Sequence, residues 1–221
     1  MIPPTKIHQL IRSLCLVLGV FFLVWAFLSF GSQSDLIFDK FLGAGLFLLT
    51  FLFYPHLHLN YSIISVGGFA IFIHQMKLYG NVYFGIEFDV YMHLLGAFAL
   101  GLFLSNLFIT HTSTPIKTFT QKLFFLIIVL FATVGISSLI EIGEFFAYTS
   151  LSPGEGILHF GPGDVFGEGR TVGGDAQSEL LAWADSAFDQ LFNVIGALLG
   201  VLVTFLRSFK RAPHQHSQPL R

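Results

Sequence analysis

The chain has 221 residues, 54% of them hydrophobic and 11% charged, with a mean hydropathy of +0.75 and a formal charge of −2. Soluble domains carry about 25% charge, so a water-soluble core is excluded, and the near-neutral balance without a basic, aromatic-interleaved run excludes nucleic acid as a partner. A single cysteine, Cys15, excludes an internal disulfide framework and a multi-cysteine zinc site.

Read in chain order, apolar segments recur at 11–31, 38–54, 57–75, 88–110, 123–148 and 179–206. The stretches 13–34 and 123–140 hold no charge at all and are long enough for spans of roughly 20 residues. An all-α bundle of six transmembrane helices in one domain, 1–221, is therefore predicted. The first segment is too long for a signal-peptide core and reads as a retained span. The second is clean only from Phe41 to Tyr54, with Asp39 and Lys40 at its start; a neighbouring opposite charge and snorkelling at the interface would accommodate that lysine. Pro55 is expected to turn the chain into the third span. A glycine-rich loop covers 149–178, and a basic tail follows at 207–221.

Cations set the expected orientation. Lys6, Arg12, Lys117, Lys122, Arg207, Lys210, Arg211 and Arg221 fall on one side of a six-span chain, and only Lys40, Lys77 and Arg170 fall on the other. By the positive-inside rule both termini are cytoplasmic.

The acids follow a second pattern. Asp89 and His93 lie four apart at the outer start of the fourth span, and Glu141 and Glu144 share a face at the outer end of the fifth. Asp185, Asp189 and Asn193 line one face of the sixth, continued by Gly196 and Gly200. His74 ends the third span at a similar level. One outward-facing cluster at one membrane depth is predicted, drawn from spans three to six.

Ionisable groups at that depth must be protonated, paired or shared around a metal. As a divalent metal centre, Asp89, His93, Glu141, Glu144, Asp185 and Asp189 are oxygen and imidazole ligands for Mg²⁺, Mn²⁺, Zn²⁺ or iron, and the same six are the candidate catalytic groups. His74, Arg170 and Asn193 are candidates for substrate contact or support, with Arg170 placed to meet an anionic head group. The same acids could instead carry protons or ions through a transporter, although the cytoplasmic halves offer no matching acids. The plainest alternative is a buried polar network holding helix register, with Asn193 and Ser137 or Ser138 completing hydrogen bonds. The glycines of "GxxxG" at Gly196 and Gly200, together with Gly67, Gly68, Gly96 and Gly101, are expected to serve close helix packing. No "GxSxG", "HExxH" or "GxxxxGK[ST]" motif is present.

"DxxxH" at Asp89 and His93, "SLIEIGEFF" around Glu141 and Glu144, and "DxxxDxxxNxxGxxxG" from Asp185 to Gly200 occur in this order. Over residues 70–206 the pattern resembles the VanZ-like membrane proteins, and is most similar to the six-span inner-membrane proteins of the YjdF type. The 149–178 loop is longer than the form usual in VanZ-like chains. The resemblance implies a cell-envelope setting for some members and no settled reaction. The acid and histidine cluster itself suggests a membrane-embedded enzyme acting on a lipid-linked or envelope substrate, with a metal or a carboxyl supplying acid/base chemistry, against a non-catalytic ion- or proton-binding protein or transporter.

Overall fold

The structure is a computed structural model that describes residues 6–29, 37–57, 59, 61–76, 78, 81–112, 116, 118–150 and 176–209. The side chains of 7, 37–39, 144–150, 176–182, 185 and 208–209 lie outside that description. Six helices and one short hairpin are present among these residues: α1 Lys6–Ser29, α2 Ile37–Leu57, α3 Tyr61–His74, β1 Val82–Tyr83, β2 Ile86–Glu87, α4 Phe88–His111, α5 Phe119–Ser150 and α6 Ala176–Phe209. This is an all-α membrane bundle. Five helices are long and apolar enough to cross a membrane: His8–Ser29, Lys40–Leu57, Phe88–His111, Phe119–Gly143 and Ser186–Arg207. At 14 residues α3 is shorter than the predicted 57–75 and measures about 21 Å at 1.5 Å per residue, less than a hydrocarbon core of ~30 Å.

The differences from the predicted boundaries have local causes. Pro55 lies inside α2 rather than in a turn after it. A proline has no N–H for the carbonyl four residues earlier, here that of Phe51. Arg12 of α1 takes up that acceptor, its Nε donating to Phe51 O at 3.2 Å while its guanidinium sits 4.6 Å from the Phe51 ring centroid. The Tyr54 hydroxyl then donates to Leu59 O at 3.0 Å and holds the turn towards α3.

Helix α5 starts four residues before the predicted 123 because Thr118 and Gln121 form a capping box. Gln121 N donates to Thr118 Oγ1 at 3.2 Å, and Thr118 N donates to Gln121 Oε1 at 3.1 Å. At its other end α5 runs to Ser150, and α6 begins at Ala176, so both helices extend into the predicted 149–178 loop. Likewise α6 runs to Phe209, into the predicted tail.

Lys40 departs from the snorkelling expectation. It is only 3% exposed; its Nζ donates to Ser29 Oγ at 3.0 Å and lies 5.1 Å from the Trp25 ring centroid. A buried ammonium is thus held between α1 and α2 by a hydroxyl and a ring face. Cys15 is fully buried and packs in the apolar core.

Two apolar clusters flank the bundle. Phe22, Phe47, Tyr54 and Ile63 belong to the larger one, built from α1, α2 and α3 with Leu102 of α4. Phe125 and Val129 of α5 pack with Val201 of α6 in the smaller one. The sequence reading contained no strand, yet β1 and β2 pair antiparallel, Val82 opposite Glu87 and Tyr83 opposite Ile86. Phe84 and Gly85 both have positive φ, 55° and 80°, as a two-residue type I′ turn demands. Phe84 stands fully exposed at the tip.

Candidate functional site

Helix α4 packs against α6 along a seam of glycine. A Cβ added to Gly196 would collide with Leu94 O, and one added to Gly200 would collide with Phe98 O. From the other side, a Cβ on Gly101 would lie 2.9 Å from Ala197 O. The two backbones therefore approach as closely as backbones can, which only glycine permits. Leu94 follows His93 directly, so the contact that excludes a side chain at Gly196 also brings His93 against Asn193 and Asp189. A Cβ added to Gly68 would lie 3.2 Å from the Phe47 ring. At Gly67 and Gly96, by contrast, an added Cβ meets nothing among the described residues, so the packing role predicted for them is absent there.

Around His93 the side chains of three helices meet. Its Nδ1 lies 2.7 Å from Glu141 Oε1 of α5, and its Nε2 lies 3.3 Å from Asp89 Oδ2 one turn back on α4 and 3.8 Å from Asp189 Oδ2 of α6. Asn193 Nδ2 donates to Glu141 Oε1 at 2.7 Å and stands 3.3 Å from His93 Nδ1. Glu141, Asp189 and Asn193 are buried, and the Asp89 and His93 side chains are nearly so.

These contacts determine the imidazole's proton. Glu141 Oε1 already accepts from Asn193, so the short contact with Nδ1 is a hydrogen bond in which Nδ1–H donates. Nε2 is then left facing two carboxylate oxygens. Three electron-rich atoms pointed at one another require a proton, on Nε2 or on one of the carboxyls, or a cation between them. One ligand atom each from Asp89, His93 and Asp189 lies within 4.8 Å of the others. A metal bonded at 2.0–2.2 Å sets its ligands about 3.0–3.5 Å apart; the His93–Asp89 spacing of 3.3 Å falls in that range and the His93–Asp189 spacing of 3.8 Å lies just outside it. Glu141 supplies the carboxylate behind the imidazole that such sites use to fix the ligand tautomer.

Of the predicted site residues, the structure brings together Asp89, His93, Glu141, Asp189 and Asn193. His74 is half-buried at the last residue of α3. Glu144 and Asp185 lie on α5 and α6 with side chains outside the described residues, and Arg170 lies outside them altogether. Among the described residues the cluster draws on α4, α5 and α6.

Beside it, Ser138 Oγ donates to Gln190 Oε1 at 2.9 Å, which makes Ser138 the network serine and adds a residue that the sequence reading passed over. Gln190 follows Asp189 and so lies off the acidic stripe; its only signal was an uncharged polar side chain inside an apolar span. Just outside the membrane segment, Glu87 has its carboxyl pKa raised, first by burial and then by the charge of Asp89.

No family model matches the chain, and neither does any curated protein or solved structure.

Proposed function

We propose that this protein is a membrane-embedded, divalent-metal-dependent enzyme acting on a lipid-linked or envelope substrate, of the VanZ-like kind, in the inner membrane with both termini cytoplasmic. One observation carries this reading. His93 has its Nδ1–H tied to Glu141 and its Nε2 directed at Asp89 and Asp189, the arrangement of a histidine and two carboxylates that bind one ion with a carboxylate behind the imidazole. Bound there, a divalent ion would polarise a carbonyl or phosphoryl oxygen or lower the pKa of a water molecule. Asp89 and Asp189 supply negative ligands, Glu141 holds the imidazole's tautomer, and Asn193 holds Glu141. All five residues lie within about two turns of one end of an apolar helix, and with both termini cytoplasmic that end would face outward, towards the head-group region.

The competing reading is a proton- or ion-coupled transporter. It is favoured by the same ring, since an imidazolium with a carboxylate at each nitrogen is a natural proton store.

Elemental analysis of detergent-purified protein, with Asp189→Asn and Glu141→Gln beside the wild type, separates the two. The enzyme reading expects stoichiometric metal in the wild type, none in Asp189→Asn, and affinity about 10–100-fold weaker in Glu141→Gln. Metal-free protein that supports proton-linked flux in vesicles would discard the metal centre. Orientation is read with Phe84→Cys, whose position is fully exposed while the native Cys15 is buried. Labelling of intact cells by a membrane-impermeant thiol reagent is expected, and labelling only after permeabilisation would invert the topology.

A further inference from the structure

Between the outer ends of the α5 and α6 spans lies a groove of about 380 Å³ whose residues include Ile142, Trp183, Ala187 and, on its polar side, Ser138, Glu141 and Gln190. Ile142 and Trp183 are largely exposed, so the groove opens away from the bundle towards lipid. The apolar part of α6 begins at Ser186. Trp183 therefore stands at head-group level, where amphipathic rings collect, and Gln190 lies about 10 Å further in at 1.5 Å per residue.

Gln190 is incompletely satisfied. Its Oε1 accepts from Ser138, but its Nε2 is buried without a hydrogen-bond partner among the described residues. A buried donor left unpaired is destabilising, and hydrocarbon has no water to relieve it. An acceptor brought by a ligand would relieve it. The neighbouring carboxyl of Glu141 selects the kind of acceptor: it would repel a phosphate but tolerate a neutral carbonyl.

We infer that the α5–α6 groove is a subsite for an ester-bearing membrane lipid, with the Gln190 amide donating to the ester carbonyl and the chain lying against Trp183, Ile142 and Ala187. This deepens the lipid-substrate reading above and rests on it for its functional meaning. Glu141 belongs both to the groove and to the His93 cluster, so a carbonyl at Gln190 is placed one side chain away from Asp89, His93 and Asp189.

The chain has two tryptophans, so Trp25→Phe leaves Trp183 as the sole reporter in the groove. In that background, Trp183 fluorescence is titrated in vesicles with bromine-labelled diacyl (ester) phosphatidylcholine in an unlabelled dialkyl (ether) host, and with the labels reversed. Preferential quenching by the ester lipid is expected, half-maximal at a mole fraction roughly three- to tenfold lower, the effect of about one hydrogen bond. Gln190→Met, similar in size with the donor removed, and Ala187→Phe, which fills the groove, are each expected to erase the preference. Equal quenching by ester and ether lipids, or a preference that persists in Gln190→Met, would overturn the subsite. Repeating the titration on Asp189→Asn keeps the two proposals apart. A lipid preference in wild-type protein that binds no metal defeats the metal centre alone, a preference kept in metal-free Asp189→Asn shows that the subsite stands without the metal, and bound metal without a lipid preference defeats the subsite alone.

Discussion

The α1–α2 pair and the α4–α6 pair both join helices through glycine, yet they are built on opposite principles. Gly19 of α1 faces the Leu48 side chain, whose Cδ2 and Cγ would lie 2.8 Å from an added Cβ. Around it the contact is made by large rings, with Phe22 stacked on Phe47 at 5.8 Å and 11° between planes. Gly196 and Gly200 face carbonyl oxygens of α4 instead. A side chain can rotate out of the way, whereas a helix backbone moves only as a whole. The apolar pair is consequently adaptable in detail, while the glycine seam holds two backbones in one register. The acid and histidine cluster is found on the rigid pair, where the backbones hold its side chains in one register. The lesson is that close backbone packing here serves the placement of His93, Asp189 and Asn193 as well as cohesion.

Substitutions that disturb one pair and spare the other test this contrast. The largest effect is expected from Gly196→Ala, whose methyl group must push α4 away at Leu94. Destabilisation at or above the usual overpacking range, about 3 kcal/mol, should accompany loss of the geometry between His93, Asp189 and Asn193. Thermal unfolding in detergent together with metal stoichiometry reads both quantities, and a variant with wild-type values for each would contradict the rigid-seam account.

Gly19→Ala is the matched change on the apolar pair. A rotamer shift of Leu48 relieves the side-chain clash and leaves only its backbone N tight at 3.3 Å, so a cost of about 1–2 kcal/mol is expected, with the polar cluster intact. A loss as large as that of Gly196→Ala would remove the distinction between the two pairs.

The smallest effect concerns Glu87, at the outer mouth of the polar pair. Its pKa in the fold is raised, by burial and then by Asp89, so the ionised form is disfavoured there relative to the unfolded chain. A raised carboxyl pKa means that stability is highest while the group is protonated. It declines as the pH rises from the ordinary glutamate value through the raised one, and stays lower above it. Glu87→Gln should flatten that part of the stability–pH curve without altering Gly19→Ala behaviour. An unchanged curve would show that Glu87 is not its source.

Much of this architecture is legible in the one-dimensional pattern, for a plain reason. A bilayer demands long uncharged helices, so five of the six helices announce themselves by composition, and helical periodicity places Asp89 with His93 and Asp189 with Asn193 on single faces. Local chemistry visible in the chain, had it been weighted, also covers the capping box at Thr118 and Gln121. The Phe84-Gly85 turn was harder to see, because an asparagine rather than a phenylalanine is the usual companion of glycine in such a turn. Periodicity says which residues share a face, but not which faces meet. That Glu141 holds His93 Nδ1, that Gln190 pairs with Ser138, that Arg12 serves the carbonyl released by Pro55, and that Lys40 is buried against Trp25 are all decided between helices. Each depends on interhelical distances set by side-chain volume and by the glycine seam, quantities that belong to packing in three dimensions and have no signature along a single chain.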